Sequence, residues 1–174
     1  MQALLFILNA LLTLVVVAFL LRVLMPLVRA DFRNPIGEAV MSVTNPVVMP
    51  LRKLLPAGKR FDPASLVALI LVQLAGTALL RAVAGGGFSP QAVVVGGLYA
   101  LLHTVLQFYF FAVLLYALLS WFGGGGYNPA AQILGRLVEP LLAPIRRVVP
   151  PLGGLDLSAL FLLIGLQALQ IFLR

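Results

Sequence analysis

Apolar residues run along this chain in four long stretches, with the polar residues gathered between them. The stretches cover Gln2 to about Met25, about Ala64 to Ala84, a part of Ala92–Phe122 beginning near residue 95, and Leu157–Leu173. A helix crossing a bilayer needs about 20 mostly apolar residues, so each stretch predicts a transmembrane helix. The third is too long for a straight span, so part of it tilts or lies outside the hydrocarbon. The first has no basic leader segment and no A-x-A cleavage site, which predicts a retained helix rather than a signal peptide.

A shift of 94 residues superimposes the two halves of the sequence without a gap. Asn34-Pro35 falls on Asn128-Pro129, Pro46 on Pro140, Pro50 on Pro144, Arg52-Lys53 on Arg146-Arg147, Pro56 on Pro150 and Asp62 on Asp156. The register continues into the following apolar stretch, where Gln73 meets Gln167. The expected organisation is therefore a first repeat over 1–84 (spans 2–25 and 64–84, connection 34–62). A second covers 92–174 (spans 95–122 and 157–173, connection 128–156). Because each unit contains two spans, the copies share one orientation and form a parallel repeat.

Both connections read as amphipathic elbows lying at the membrane surface. Asn34-Pro35 and Asn128-Pro129 are N-cap and first-turn signals. At about 100° per residue, Ile36, Ala39, Val40, Val43 and Val47 make one apolar stripe, with Ala130, Ile133, Leu134, Leu137 and Leu141 its counterpart. Pro46 and Pro140 predict a break or kink, with Asn45 and Glu139 as new caps. Asp62 and Asp156 stand at the start of the next span, where a carboxylate complements the helix dipole. Ion pairs Arg52–Asp62 and Arg146–Asp156 would close each elbow onto that span.

Composition fixes the solvent. The 174 residues are 62% apolar and 10% charged, against roughly 45–50% and 25% for an ordinary soluble domain. Mean hydropathy is +1.11. No globule of this size has interior enough for so much hydrocarbon. The expected fold class is all-α: a polytopic membrane helical bundle of four transmembrane helices from two tandem parallel repeats, each with a kinked amphipathic interfacial elbow.

Net charge is +7, yet no long basic run or aromatic-spaced basic surface points to nucleic acid. Nine of the twelve Lys and Arg residues lie between the first and second spans or between the third and fourth. The positive-inside bias puts both elbows in the cytoplasm and both termini outside, in the inner membrane of a bacterial cell. Arg22 and Arg81, near span ends, read as snorkelling anchors.

Little catalytic chemistry is encoded. The chain has no cysteine and one histidine, which excludes disulfides, thiolate sites and a two-His metal site within one chain. No G-x-S-x-G, H-E-x-x-H or phosphate-binding glycine motif occurs. We expect no catalytic residue, no metal and no cofactor.

The pattern N-P-x10-P-x3-P-[LI]-R-[KR]-x2-P-x5-D, present at Asn34–Asp62 and again at Asn128–Asp156, resembles the YggT family of small bacterial membrane proteins. The resemblance covers nearly the whole chain. It implies a multi-pass inner-membrane protein without a defined catalytic activity. Relatives have been connected with osmotic-stress tolerance, potassium uptake, cell division, and cytochrome assembly and nucleoid organisation in plastids.

The residues and the resemblance together predict a non-enzymatic membrane assembly, organisation or envelope-stress factor. Arg52, Lys53, Arg146 and Arg147 would meet anionic lipid or a partner protein of the membrane, cell-division or assembly machinery. Homo-oligomerisation is compatible with this reading. The elbow itself would be structured by Asn34, Pro35, Pro46, Pro50, Pro56 and Asp62, and by Asn128, Pro129, Pro140, Pro144, Pro150 and Asp156. The alternative is a small ion channel or transport modulator whose polar route is lined by Gln73, His103, Gln107 and Gln167.

Overall fold

The computed structural model describes residues 1–30, 34–56, 58, 61–87, 89–122, 129–148 and 156–173. Asn128 and Pro150, both assigned to the second elbow, lie outside them. Six helices follow one another: α1 Gln2–Leu27, α2 Pro35–Arg52, α3 Pro63–Val83, α4 Pro90–Phe122, α5 Pro129–Arg146 and α6 Leu157–Phe172. Among the described residues there is no strand.

Three of these helices, Gln2–Leu27, Pro63–Val83 and Pro90–Ser120, are long and apolar enough to cross a membrane. Four were expected. The fourth apolar stretch forms α6, whose 16 residues reach about 24 Å at 1.5 Å per residue, short of the roughly 30 Å hydrocarbon core. In contrast, α4 continues as one helix for 33 residues, about 50 Å, well beyond that thickness.

Each half has its own apolar core. Val16, Phe19 and Leu20 of α1 meet Val48 of α2 and Ala64, Ala68 and Leu69 of α3. Ala112, Val113 and Ala117 of α4 meet Val138 and Leu142 of α5 and Ala159 and Leu166 of α6. A smaller cluster of Met25, Ala30, Ile133 and Leu137 joins the halves. Near it, Arg136 Nη1 donates to the carbonyl of Arg29, a non-glycine residue in the left-handed region at φ 54°. The α1–α3 crossing is close because Gly76 has no side chain: a Cβ there would lie 2.2 Å from Leu12 Cδ1.

The elbow helices correct two expectations. First, no break occurs at Pro46 or Pro140: α2 runs through Pro46 and Pro50, and α5 through Pro140 and Pro144. The prolines in each helix are four apart and all four are exposed. The carbonyls that lose their donors therefore lie on the outer face, where water or headgroups can satisfy them. Val48 and Leu142, wholly buried, anchor the inner face. Second, the buried face is turned from the predicted stripe. In α2 it comprises Gly37, Val40, Thr44 and Val48, while Val43 stays 50% exposed. In α5 the buried set is Ile133, Leu137, Val138 and Leu142.

Candidate functional site

The polar side chains converge where each elbow helix meets the foot of the next apolar helix. Asn34 caps α2, accepting from the backbone N–H of Gly37 at 2.9 Å, with Pro35 in the first turn. At the other end of α2, Arg52 reaches Asp62 at the start of α3, with Nη2 to Oδ2 at 2.5 Å and Nε to Oδ2 at 3.2 Å. Ser65 donates its hydroxyl to the same oxygen at 2.6 Å. Asp62 occupies the N-cap position of α3 but makes no cap bond to a backbone N–H. Its Oδ2 is engaged by side chains instead. Asp62 Oδ1 is buried and has no hydrogen-bond partner among the described residues.

Arg22 belongs to this cluster, although the sequence suggested an anchor stretching to the membrane surface. It is 3% exposed. Nη1 donates to Thr44 Oγ1 at 2.6 Å and to Asn45 Oδ1 at 2.7 Å, and Nε donates to Ser65 Oγ at 3.2 Å. Thr44 in turn donates its hydroxyl to the carbonyl of Val40 at 2.6 Å. Asn45 thus holds a guanidinium rather than capping a new helix.

The second half repeats the ion pair with different company. Arg146 Nη2 and Nε lie 2.6 and 2.9 Å from Asp156 Oδ2, so both ion pairs expected from the sequence are present. Arg146 Nη1 also reaches Glu139 at 2.7 Å, and Nη2 lies 3.3 Å from the Tyr116 hydroxyl. Asp156 caps α6, accepting from the Ser158 N–H at 3.1 Å and from the Ser158 hydroxyl.

These contacts shift the acids and the base in concert. Burial pushes the Asp62 carboxyl upward, but the bonds from Arg52 and Ser65 outweigh it and leave the group below its ordinary range. At Asp156 burial acts in the same way and is overcome by Ser158 and Arg146, again with a net lowering. Burial disfavours the charged form of Arg146, yet Asp156, Tyr116 and Glu139 raise its pKa further above the ordinary arginine value.

Within each basic pair the two members are divided. Arg52 and Arg146 turn inward to their aspartates, with side chains 39% and 29% exposed, whereas Lys53 and Arg147 are exposed. Pro35 and Pro56 are exposed as well. Pro129 begins α5.

The structure does not bring the four polar membrane residues together. Gln73 is buried beside Thr77 in a groove between α1 and α3. Gln107 lines a cavity of about 280 Å³ with Thr13 and Phe108. Gln167 lies in a third hollow, against Phe110 and Ile171. His103 is half-buried on α4.

Sequence reasoning missed Arg22, Thr44 and Ser65. One signal was present: in the 94-residue register they fall on Tyr116, Val138 and Ala159, so three positions that are buried in the first half differ in polarity together.

Three long apolar helices, with charged clusters at the feet of the helices, mark a membrane-associated helical protein. The chain belongs to the CCB3/YggT family, whose model matches residues 1–83 and 95–174. An uncharacterised protein of Pseudomonas aeruginosa is 38% identical over 171 residues, covering 97% of this chain and 86% of the relative. The uncharacterised YggT protein of Escherichia coli K12 is 36% identical over 171 residues, covering 98% and 88%. A protein of Vibrio alginolyticus is 36% identical over 169 residues, covering 96% and 91%. No solved structure matches the chain.

Proposed function

We propose that this is a non-enzymatic bacterial inner-membrane protein of four spans, the short α6 crossing where the bilayer thins to match it, built as two parallel hairpins, whose elbows lie on the cytoplasmic face with both termini outside. Its role is assembly, organisation or stress protection of the envelope. It acts by presenting two rigid cationic elbows to anionic lipid or to a membrane partner protein. The observation that carries the reading is the division within each basic pair. Arg52 and Arg146 are tied to the aspartate of the following helix, and the adjoining Lys53 and Arg147 are thereby held outward beside exposed prolines. Each outward cation near an anionic leaflet contributes about 1 kcal/mol. Exposed apolar side chains on α2, Val43 and Met49 at 50% and 55%, give the elbow a second apolar side suited to the acyl boundary. A channel has no comparable support, because Gln73, Gln107 and Gln167 line three separate hollows.

The chain contains no cysteine, so single labels test the arrangement directly. Leu54→Cys and Val148→Cys lie next to the outward cations and are 79% and 81% exposed. Both are expected to resist an impermeant maleimide in intact spheroplasts and to react once the membrane is opened. Labelling in intact spheroplasts refutes the topology. The double variant Lys53→Gln/Arg147→Gln is expected to stay folded but to lose protein crosslinks in native membranes and growth after osmotic upshift. Full crosslinking and growth would show that the outward cations are not the working surface.

A further inference from the structure

A second polar feature lies at the other end of the first half. The chain enters the first elbow at the end of α1 and leaves it at the start of α3. Residues early in α1 and late in α3 are therefore gathered away from the elbows. There the two helices, together with Ala100 of α4, border a groove of about 340 Å³, with Asn9 on α1 and Gln73, Thr77 and Arg81 on α3. The three α3 residues are spaced four apart and make one polar stripe on a helix that is otherwise apolar.

Two members of the stripe satisfy each other. Gln73, 4% exposed, donates from Nε2 to Thr77 Oγ1 at 3.2 Å, and Thr77 Oγ1 donates to the carbonyl of Gln73 at 2.9 Å. The Gln73 amide has a second N–H to give. Arg81 stands apart: its Nε is buried and has no hydrogen-bond partner among the described residues. A guanidinium donor left in that condition is costly.

Among the described residues no acidic side chain is placed to meet it. In sequence the five acids, Asp31, Glu38, Asp62, Glu139 and Asp156, all belong to the elbows or their borders, and the four described ones lie at the opposite end. Among the described residues Arg81 thus has no counter-ion of its own, which leaves the position open to an external one. The groove selects its kind. Apart from its four polar members it is walled by Leu5, Leu12, Leu80 and alanines, so a free inorganic anion would face hydrocarbon on most sides. An amphiphile places a chain over the leucines and its charge on Arg81. The amides of Asn9 and Gln73 then suit hydroxyls on its head, while no carboxylate is present to receive an ammonium.

We propose that the α1–α3 groove is a binding site for an anionic glycerophospholipid with a hydroxylated, ammonium-free headgroup, its phosphate held by Arg81. The second half supplies an internal contrast. The hollow containing Gln167, the equivalent of Gln73, is walled by Phe110, Leu163, Ile164, Ala168 and Ile171 and has no basic member. In the 94-residue register Thr77 meets Ile171. One specific site per chain is therefore expected.

Native mass spectrometry of the delipidated full-length protein in mild detergent tests this. The protein is titrated in parallel with phosphatidylglycerol, phosphatidylcholine and inorganic phosphate. The wild type is expected to retain one tightly held phosphatidylglycerol. Occupancy by that lipid should fall about tenfold in Arg81→Gln and partially recover in Arg81→Lys, as loss of one charge-assisted contact predicts. Gln167→Leu and Lys53→Gln/Arg147→Gln should retain the lipid like the wild type, and failure of the elbow reading would leave this result unchanged. Asn9→Leu, on the opposite wall, is a second probe and should weaken retention with Arg81 intact. Thermal unfolding in the same detergent confirms that each variant is folded. Equal retention by the wild type and Arg81→Gln overturns the proposal, as does equal retention of the two lipids. Saturation by inorganic phosphate without lipid preference overturns it too, by making the site one for a free anion.

Discussion

The first half of the molecule buries a cation at its elbow, and the second half does without one. Two guanidiniums stand around Asp62: Arg52 pairs with the carboxylate directly, and Arg22, held by the oxygens of Thr44, Asn45 and Ser65, is linked to it through Ser65. Around Arg146 the ratio is reversed: one guanidinium serves Asp156 and Glu139, with Tyr116 in the place that Arg22 holds. The shared element is the ion pair tying an elbow helix to the next apolar helix ten residues on. A buried charge pair rarely adds stability over an apolar replacement, but removing one partner is costly because the other stays behind unpaired. The two clusters therefore differ in what they can lose.

Removing Asp62 is expected to have the largest effect. Arg22 is buried and would be left without any carboxylate in its cluster, so Asp62→Ala should cost about 3 kcal/mol of unfolding free energy. Asp156→Ala leaves Arg146 with Glu139 at 2.7 Å and with side-chain exposure of its own, and should cost about 1 kcal/mol. Denaturant titration of the purified protein in mild detergent measures both. Equal losses would mean that the difference in charge ratio has no energetic content.

Next in size is a transplant of the second half's acid into the first. Asn45 and Glu139 are equivalent positions. Asn45→Glu sets a carboxylate against Arg22 and should reduce the penalty of Asp62→Ala by about 1 kcal/mol in a double-mutant cycle. A coupling of zero would show that Arg22 is held by its hydroxyl and amide partners alone.

The same comparison shows how far the sequence could be read. The Arg–Asp pairs were legible because charges and prolines are so scarce in an apolar chain that their recurrence at one offset stands out. The fate of Arg22 was not, because a basic residue one turn from the end of an apolar stretch has the same pattern whether it reaches the surface or turns inward. What decides is a pair of hydroxyls, Thr44 and Ser65, 22 and 43 residues away, and no local pattern contains them. The uninterrupted elbow helices were hidden for a related reason. Proline removes a donor at every position, but the cost depends on whether the abandoned carbonyl faces outward or into a core. At Pro46, Pro50, Pro140 and Pro144 it faces outward.

Acid should act on both halves in the same direction and more strongly on the first. The carboxyls of Asp62 and Asp156 are held below the ordinary value of 3.8. The unfolded chain therefore binds protons before the folded one does as pH falls. Stability from these groups is complete well above pH 3.8 and is lost as pH drops through the folded values. The midpoint of unfolding should be flat from about pH 5 to 7 and should decline below about pH 4. In Asp62→Asn the decline should shrink by more than half, and in Asp156→Asn by less. A decline beginning near neutrality would locate the acid sensitivity elsewhere.

The smallest effect expected is at Tyr116, and it tests whether equivalent positions carry equivalent weight. Its hydroxyl lies 3.3 Å from Arg146 Nη2, longer than the contacts that the same guanidinium makes to Asp156 and Glu139. Tyr116→Phe keeps the ring and removes only that contact, so the loss should be about 0.5 kcal/mol. Removing the partners of Arg22 should cost more at each step, because a buried guanidinium has nowhere else to turn: Thr44→Val should exceed 1 kcal/mol, the range for a donor left unpaired. If Tyr116→Phe proves as damaging as Thr44→Val, the phenol is as integral to the second cluster as the guanidinium is to the first. The two elbows would then be equivalent structures carrying different residues. The expected inequality means instead that the first elbow alone depends on a buried charge, and that the second is held by its ion pair and its cap.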